Sequence, residues 1–333
     1  MKAIALLSGG LDSTLATKVI IDQGIGVEAI NFLTVFCTCT TRGETCLASQ
    51  KAVETLGIPL KVFNVSEEFL AIVKHPKHGY GSNMNPCIDC RIFMLKRAKA
   101  HMETSGASFV ITGEVLGQRP MSQRRDAMRL TEKEAGLEGL IVRPLSAKFL
   151  PITIPERDGW IDREQLLNMQ GRSRKRQIEL AAYFGIRDYP CPAGGCLLTD
   201  PGFGRRMRDL MEHDPGFSLN DVHLLKMGRH FRLSPELKLV VGRNEEENQK
   251  IQTFAQREDI LLNLAHFPGP LALLRGEVNE GEIRNASGIT ARYSKVKETK
   301  VEVIYKRMGE DFSQSLLVSP AREAEIKEWL ISG

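Results

Sequence analysis

Ser8-Gly9-Gly10-Leu11-Asp12-Ser13 lies between the apolar run Ala3–Leu7 and a helical pattern that starts near Thr14. The two glycines let the backbone approach a phosphate closely, and the two serines add hydroxyl donors. The first amides of a helix carry a partial positive charge that attracts anions. The stretch therefore predicts a buried strand, a phosphate-binding turn and a helix, in that order.

Strand and helix patterns alternate through the first part of the chain. Helical patterns separate the strands, and this βαβα order predicts a parallel sheet covered by helices on both faces. Ligands of such sheets bind beyond the carboxyl ends of the strands, so we expect the segments after Leu7, Phe36 and Thr112 to converge on one crevice. The predicted strands are Ala3–Leu7, Val27–Phe36, Leu60–Val65 and Phe109–Thr112.

The chain is long enough for more than one core, with 333 residues of which 42% are hydrophobic. A basic segment follows the α/β region, and short alternating apolar segments begin near Leu219. The sequence predicts an α/β fold: a Rossmann-like parallel sheet over 1–170, a basic linker over 171–217, and a smaller α+β domain over 218–333.

Composition excludes several classes of protein. No apolar run reaches the roughly 20 residues that span a bilayer, and the chain enters a strand at once without a signal segment. Its seven cysteines are an odd number, which argues for reduced thiols, metal binding or catalysis rather than a disulfide scaffold. We expect a cytoplasmic protein with no membrane partner.

The phosphate-binding turn belongs to neither of the two commonest nucleotide motifs. It lacks the Gly-Lys-Ser/Thr ending of the P-loop, and no Gly-x-Gly-x-x-Gly is present. The order Ser-Gly-Gly-x-Asp-Ser resembles the PP-loop of ATP pyrophosphatases, which cleave ATP between the α- and β-phosphates and adenylate a substrate. The resemblance implies ATP and Mg²⁺, held by Ser8, Gly9, Gly10, Asp12 and Ser13.

Two cysteines, Cys87 and Cys90, lie three residues apart at the start of a predicted helix. That spacing lets both sulfurs reach one metal ion, and the helix start together with Arg91 favours the thiolate. Two ligands rarely make a site, so a third thiol is required. Cys191 and Cys196 are the candidates.

Four motifs together resemble tRNA-thiolating PP-loop enzymes. The segments at 112–118 and 143–145 are similar to 4-thiouridine synthetases, and Asn-Pro-Cys is similar to 2-thiouridylases. The resemblance covers roughly residues 1–200 and adds Gly113 and Gln118 to the ATP site. The motifs are Ser8–Ser13, Asn85-Pro86-Cys87-Ile88-Asp89-Cys90, Thr112-Gly113-Glu114-Val115-Leu116-Gly117-Gln118 and Arg143-Pro144-Leu145.

The resemblance implies two ways to deliver sulfur. In cluster-dependent members, a Cys-x-x-Cys pair and a distant cysteine hold a [4Fe-4S] cluster with one iron open. Other members carry a persulfide on one cysteine and resolve it with a second. We predict Cys87, Cys90 and Cys196 as cluster ligands and catalytic residues, with Cys191 as the alternative third ligand. A zinc site with four cysteine ligands, Cys87, Cys90, Cys191 and Cys196, is a further alternative.

A second group of thiols, Cys37, Cys39 and Cys46, follows the second strand. Three clustered thiols can bind a metal. Free cysteine is among the most buried residue types, so we expect these three to be small buried side chains.

Basic residues concentrate in the middle of the chain. Between Pro86 and Pro215 lie 21 Lys and Arg against 17 Asp and Glu, a surplus equal to the net charge of +4 of the whole chain. Lys and Arg contacts to phosphate supply most sequence-independent affinity for nucleic acid. We predict RNA contacts from Arg172, Arg174, Lys175, Arg176, Arg205 and Arg206.

The last part of the chain carries a Val-Gly-Arg-Asn turn at Val241–Asn244 and a Pro-Gly segment at Pro268–Gly269. These resemble the RNA-binding domain of the NFACT ribosome-quality-control family. The Asp-to-His pattern of that family reads Asn263 and Ala265 here, so the match departs from it at those positions. A packing domain with a hairpin turn is the alternative.

These observations lead to one expected function, ATP-dependent tRNA thiolation in which Asp12 is also catalytic. The expected product is 4-thiouridine, with 2-thiouridine as the alternative. The partners are tRNA and a sulfur donor, either free sulfide or a sulfur-carrier protein, and a homodimer is left open. Two rivals are adenylation of a small molecule and a non-catalytic RNA-binding protein.

Overall fold

The computed structural model describes residues 1–38, 46–189 and 196–331, and it describes the side chains of the second range from residue 48. Cys39 and Cys191 lie outside the described residues, and so does the side chain of Cys46. The described chain forms two compact units, 1–199 and 200–333. Among the described residues, no helix is both long and apolar enough to cross a membrane.

The first unit is built on a five-stranded parallel sheet with the order β3-β2-β1-β4-β5. Three short 3₁₀ turns complete it, at Ala147–Phe149, Arg163–Gln165 and Leu197–Thr199. The strands are β1 (Lys2–Leu6), β2 (Gly26–Leu33), β3 (Leu60–Asn64), β4 (Phe109–Thr112) and β5 (Ile141–Val142). The helices are α1 (Leu11–Ile21), α2 (Cys46–Leu56), α3 (Ser66–Lys74), α4 (Cys87–Ser105), α5 (Arg125–Ala135), α6 (Ile154–Arg157) and α7 (Lys175–Tyr183).

Alternation along the strands sends side chains to two separate cores. Ala3, Ala5 and Ile111 face α1, whose Leu15 is fully buried against them. Ile4 faces the opposite side with Leu95 of α4. Helices therefore cover both faces of the sheet, as a parallel sheet requires, and the predicted α/β class is confirmed.

The second unit is an antiparallel sheet of six strands, ordered β11-β10-β8-β9-β7-β6, with helices on both sides. This arrangement confirms the predicted α+β domain. Its strands are β6 (Arg229–Ser234), β7 (Leu237–Val241), β8 (Ile260–Leu264), β9 (Ala272–Gly276), β10 (Val301–Arg307) and β11 (Gln314–Val318). Its helices are α8 (Pro201–His213), α9 (Leu219–Leu224), α10 (Glu245–Phe254), α11 (Glu280–Arg292) and α12 (Glu323–Trp329).

Candidate active site

The loop between β1 and α1 presents an uncapped helix start. Gly10 is the N-cap residue and has no side chain to satisfy the first amides of α1. The hydroxyls of Ser8 and Ser13 lie 3.2 Å apart, and the Ser13 hydroxyl donates to the Gly10 carbonyl at 2.9 Å. Backbone amides and hydroxyls thus gather where an anion can bind.

Two glycines make this loop possible. Gly9 has φ +75°, and a Cβ there would lie 2.3 Å from the carbonyl carbon of Ala48 in α2. A Cβ at Gly113 would lie 2.4 Å from the Ser13 nitrogen. The segment after β4 therefore packs directly on the start of α1, and neither position accepts a side chain without displacing the backbone.

Asp12 and Gln118 are joined across the crevice. Gln118 Nε2 donates to Asp12 Oδ2 at 2.6 Å, and Gln177 Nε2 of α7 donates to Gln118 Oε1 at 3.1 Å. The other carboxylate oxygen, Asp12 Oδ1, is buried and has no hydrogen-bond partner among the described residues. A carboxylate oxygen left in this way suits Mg²⁺, which prefers oxygen ligands.

Four thiols lie in the segments beside this loop. Cys87 is the first residue of α4, and Cys90 lies one turn further along it. Cys37 and Cys196 face each other in an isolated antiparallel bridge, in which the Leu197 amide donates to the Phe36 carbonyl at 2.9 Å. All four are reduced thiols and half-buried, and Cys37, Cys87 and Cys90 each act electrostatically on Cys196.

Arg91 favours the thiolates of Cys87 and Cys90 as expected, but burial outweighs its effect. Burial raises the pKa of Cys87, against the opposing effect of Arg119 and Arg91. Burial also raises the pKa of Cys90 and of Cys196 to about 12 each. Although each side chain keeps some exposure, its packed surroundings withdraw the sulfur from water and penalise the charged form. Both Cys90 and Cys196 are therefore neutral at pH 7.

Cys37 was also wrongly expected to be a buried small side chain. It is half-buried, and its sulfur accepts the Thr34 amide at 3.3 Å. Sequence reasoning grouped it with Cys39 and Cys46, because nothing in the sequence signals its pairing with Cys196. The structure brings it to the predicted catalytic thiols.

The predicted cluster ligands Cys87, Cys90 and Cys196 are neighbours that influence one another's ionisation. Among the side chains that the structure describes, no three His, Cys, Asp or Glu groups stand close enough together to hold a metal ion. The [4Fe-4S] cluster therefore stays a prediction.

A buried ion-pair system links the motifs at 112–118 and 143–145. Arg143 Nε contacts Glu114 Oε2 at 2.8 Å, and Arg91 Nε contacts Glu114 Oε1 at 3.1 Å. Arg143 also pairs with Glu132 of α5. Burial raises the pKa of Glu114, but the charges of Arg91 and Arg143 outweigh it, so the net effect lowers that pKa. Glu114 fixes the arginine that follows Cys90.

Consecutive residues join the loop to the thiols. Gln118 bonds to Asp12, and the next residue, Arg119, is exposed and lowers the pKa of both Cys87 and Cys90. Arg119 was not singled out by sequence reasoning. Its position beside Gln118 was the available signal.

The predicted RNA-binding residues fall in two places. The run at 172–176 leads into α7 beside the motif at 112–118, because the Gly171 amide donates to the Leu116 carbonyl at 2.7 Å. Arg176 is bound to Asn168, whereas Arg172 and Lys175 are exposed, and the Nε of Arg174 has no partner among the described residues. Arg205 and Arg206 lie on α8 in the second unit.

The chain matches two families, one for each unit. Residues 1–148 match the family described as "Thiamine biosynthesis protein (ThiI)", and residues 228–330 match "NFACT protein RNA binding domain". The resemblances predicted from the sequence, to PP-loop tRNA-thiolating enzymes and to the NFACT RNA-binding domain, are confirmed.

Individual relatives agree with this class. A tRNA-specific 2-thiouridylase MnmA of Syntrophotalea carbinolica is 31% identical over 117 residues, 33% of each chain. A probable tRNA sulfurtransferase of Ureaplasma parvum serovar 3 is 25% identical over 186 residues, 55% of this chain and 43% of the relative. The chain thus spans about a third to two fifths of the length of these curated relatives.

A solved structure of a 4-thiouridine synthetase in complex with RNA and bound ATP is also similar. It is 20% identical with a TM-score of 0.33, and the match covers 56% of this chain and 51% of that one.

The Glu114 ion pairs predict a large loss of stability on neutralisation. Glu114→Gln should lower the free energy of unfolding of the first unit by about 3 kcal/mol, because two arginines lose their buried counter-charge. Acidification should act in the same direction: a lowered carboxyl pKa stabilises above the ordinary value of 4.5, and the effect is lost as pH falls through the lowered pKa. Urea unfolding followed by Trp160 fluorescence, in a Trp329→Phe background, measures the change.

The matched control is Glu68→Gln, which removes the exposed partner of Arg97 and should change stability little. Equal effects of the two substitutions would contradict the assignment of Glu114 as the central counter-charge.

The bridge between Cys37 and Cys196 predicts a specific cross-link. Directly opposed residues in an antiparallel pair have Cα atoms about 4.5–5.5 Å apart, within the range that a disulfide needs. Mild oxidation should therefore join Cys37 to Cys196, as detected by non-reducing peptide mass spectrometry. Cys37→Ser should abolish this peptide and Cys90→Ser should leave it. Pairing of Cys196 only with Cys87 or Cys90 would show that the bridge is misplaced.

Proposed function

We propose that this chain is an ATP-dependent tRNA sulfurtransferase that adenylates a uridine of tRNA and replaces its oxygen with sulfur, giving 4-thiouridine. One observation carries the proposal: Gln118 bonds to an anion-binding loop that has an unpartnered carboxylate oxygen, and the next residue, Arg119, acts on the thiols Cys87 and Cys90. Adenylation and sulfur delivery need these two half-sites side by side. The matched family and the relatives named as tRNA sulfurtransferases support the same reaction.

The loop would carry out the first half of the reaction. The uridine carbonyl oxygen attacks the α-phosphorus of ATP, and pyrophosphate leaves. Loop amides and the hydroxyls of Ser8 and Ser13 stabilise charge on the leaving phosphates, and such stabilisation commonly contributes most to the acceleration of phosphate transfer. Asp12 Oδ1 would hold Mg²⁺, which neutralises phosphate charge when bound. Gly113 keeps the loop in place, and Gln118 orients Asp12.

The thiols would carry out the second half. A sulfur nucleophile attacks the uridine carbon that bears the adenylate, and AMP departs with the original oxygen. Arg119 and Arg91 both act to lower the pKa of Cys87 and Cys90, although burial outweighs them and the net pKa of each thiol is raised.

We write this sulfur-transfer step through a cysteine persulfide that receives its outer sulfur from the persulfide of a carrier protein. That outer sulfur bonds to the uridine carbon, a second thiol attacks the inner sulfur to release the thiouridine, and an external thiol reduces the resulting disulfide. Free sulfide, as the alternative donor, would attack the adenylated carbon directly and form no persulfide. No step is routed through a cluster, because no three potential metal ligands stand close together among the described side chains.

A second product has support of its own. Relatives named tRNA-specific 2-thiouridylase align with this chain at 31% identity. Sulfur at carbon 2 of the uridine would use the same two half-sites, so the choice between 2-thiouridine and 4-thiouridine depends on how the tRNA is held.

The proposal also covers the residues that contact tRNA and the division of the chain into domains. The exposed cations Arg172 and Lys175 would contact tRNA next to the loop, and Arg205 and Arg206 would do so from the second unit. The proposed parts remain 1–170 for adenylation, 171–217 for the basic linker and 218–333 for RNA binding. A cytoplasmic location is proposed together with the action on tRNA, and the formation of a homodimer is left open.

Replacing Asp12 tests the proposal directly. Asp12→Asn should lower tRNA thiolation about a hundredfold or more, because the carboxylate that would hold Mg²⁺ against the phosphates is lost. Nucleoside mass spectrometry of tRNA and pyrophosphate release measure the effect. Asp22→Asn, at the other end of α1, is the control and should retain activity. An unchanged thionucleoside level with Asp12→Asn would refute the proposal, and pyrophosphate release without RNA would favour a small-molecule substrate.

The absorption spectrum tests the persulfide version of the sulfur step. Protein purified anaerobically with full iron supply should be colourless and should carry an added sulfur on Cys87, Cys90 or Cys196 by intact-mass measurement. Loss of the added mass in Cys196→Ser would identify its carrier. A brown protein whose iron is lost in the same variant would instead establish the [4Fe-4S] alternative.

A further inference from the structure

A pocket of about 420 Å³ opens on the second unit, between α11, β11 and α12. The chain between β11 and α12 is fixed against α11, because the Ala321 amide donates to the Gly288 carbonyl at 2.9 Å. The pocket is thus bounded by three connected elements of one unit. No residue predicted from the sequence to bind ATP, sulfur or RNA lines it.

The lining is cationic. Arg284, Lys300 and Arg322 contribute to it, and Glu325 is the carboxylate among the lining residues. Arg322 Nη2 pairs with Glu325 Oε1 at 2.6 Å, so these two charges offset each other. Arg284 and Lys300 are exposed and form no ion pair within the described part of the chain. Two uncompensated cations therefore face whatever enters the pocket.

The lining also has an aromatic side. Trp329 is partly buried and packs on the core of the second unit, so its ring is anchored. Leu317, 56% exposed, adds apolar surface on the edge strand β11. A fixed aromatic ring beside free cations matches a nucleotide, since a base stacks on the ring and its phosphates meet the cations. A phosphate-only ligand would have no use for the indole.

We propose that this pocket binds one nucleotide of a single-stranded segment of RNA, with the base against Trp329 and the phosphates against Arg284 and Lys300. The inference rests on the proposed function, because it names where the tRNA substrate is held on the second unit. The match of residues 228–330 to an RNA-binding domain is consistent with it and specifies no surface.

Fluorescence of the full chain tests the proposal. Trp160 and Trp329 are its two tryptophans, so Trp160→Phe leaves Trp329 as the reporter. Titration with tRNA, and with a 12-nucleotide single-stranded RNA, should quench it. Arg284→Glu with Lys300→Glu should weaken RNA binding at least tenfold. The slope of log affinity against log salt should fall by about 1.4, since each single-strand phosphate contact contributes about 0.7.

The matched control is Arg257→Glu with Lys306→Glu, which makes the same charge change on exposed residues of the same unit. Lys306 lies about 20 Å along β10 from Lys300 at the strand's rise per residue. Wild-type RNA affinity in the pocket variant, or equal losses in both double variants, would overturn the proposal. If vesicles that contain anionic phospholipid quench the fluorescence of Trp329 and RNA does not, the pocket binds a membrane surface and the RNA proposal is overturned.

The two proposals fail in distinguishable ways. If the chain thiolates tRNA while Trp329 does not respond to RNA, the pocket proposal alone is wrong. If RNA quenches Trp329 and this binding depends on Arg284 and Lys300, but no tRNA is thiolated, the proposed reaction is wrong. The proposal that the pocket binds RNA is then retained.

Discussion

The Glu114 carboxylate, buried between Arg91 and Arg143, is the interaction on which the first unit depends. It ties the end of β4 to the end of β5 and to the first turns of α4. An isolated carboxylate at this depth would be strongly disfavoured, and two guanidinium groups supply the opposing charge that keeps it ionised. The edge of the sheet where both half-sites lie is therefore held by charge as well as by apolar packing.

This ion-pair system gives the separate sequence motifs a common physical reason. Thr112–Gln118 contributes the carboxylate, Arg143–Leu145 contributes one arginine, and the segment with Cys87 and Cys90 contributes the other. Gly113, within the first of these, must lack a side chain because the backbone of Ser13 lies against it. One buried network of ion pairs and one close backbone contact therefore hold together residues that are far apart in the chain.

Much of the first unit could be predicted from the sequence, since short segments rich in apolar residues mark β1 to β4. β5 has two residues, Ile141 and Val142, too few to show a period. In the second unit β8, β10 and β11 were not among the segments predicted from the sequence. Of these, β11 (Gln314–Val318) is a partly exposed edge strand that lacks a clear alternation.

The site was predictable where a motif is local and not where it forms by tertiary contact. The loop and the Cys87–Cys90 pair are visible in the sequence as short patterns. The bridge of Cys37 to Cys196 joins distant segments, and the rise in thiol pKa depends on surrounding protein that no spacing reveals. The positive charge of Arg91 suggested a lowered pKa for Cys87 and Cys90, but desolvation raises the net pKa of both thiols.

The adjacency of Gln118 and Arg119 places a contact of the loop and a charge near the thiols on consecutive residues. Consecutive Cα atoms are 3.80 Å apart, so a backbone shift at Gln118 also moves Arg119. A ligand that displaced this backbone on reaching Asp12 would therefore move the cation that lowers the pKa of Cys87 and Cys90. In the proposed reaction, a bound nucleotide would in this way change the charge around the sulfur atoms.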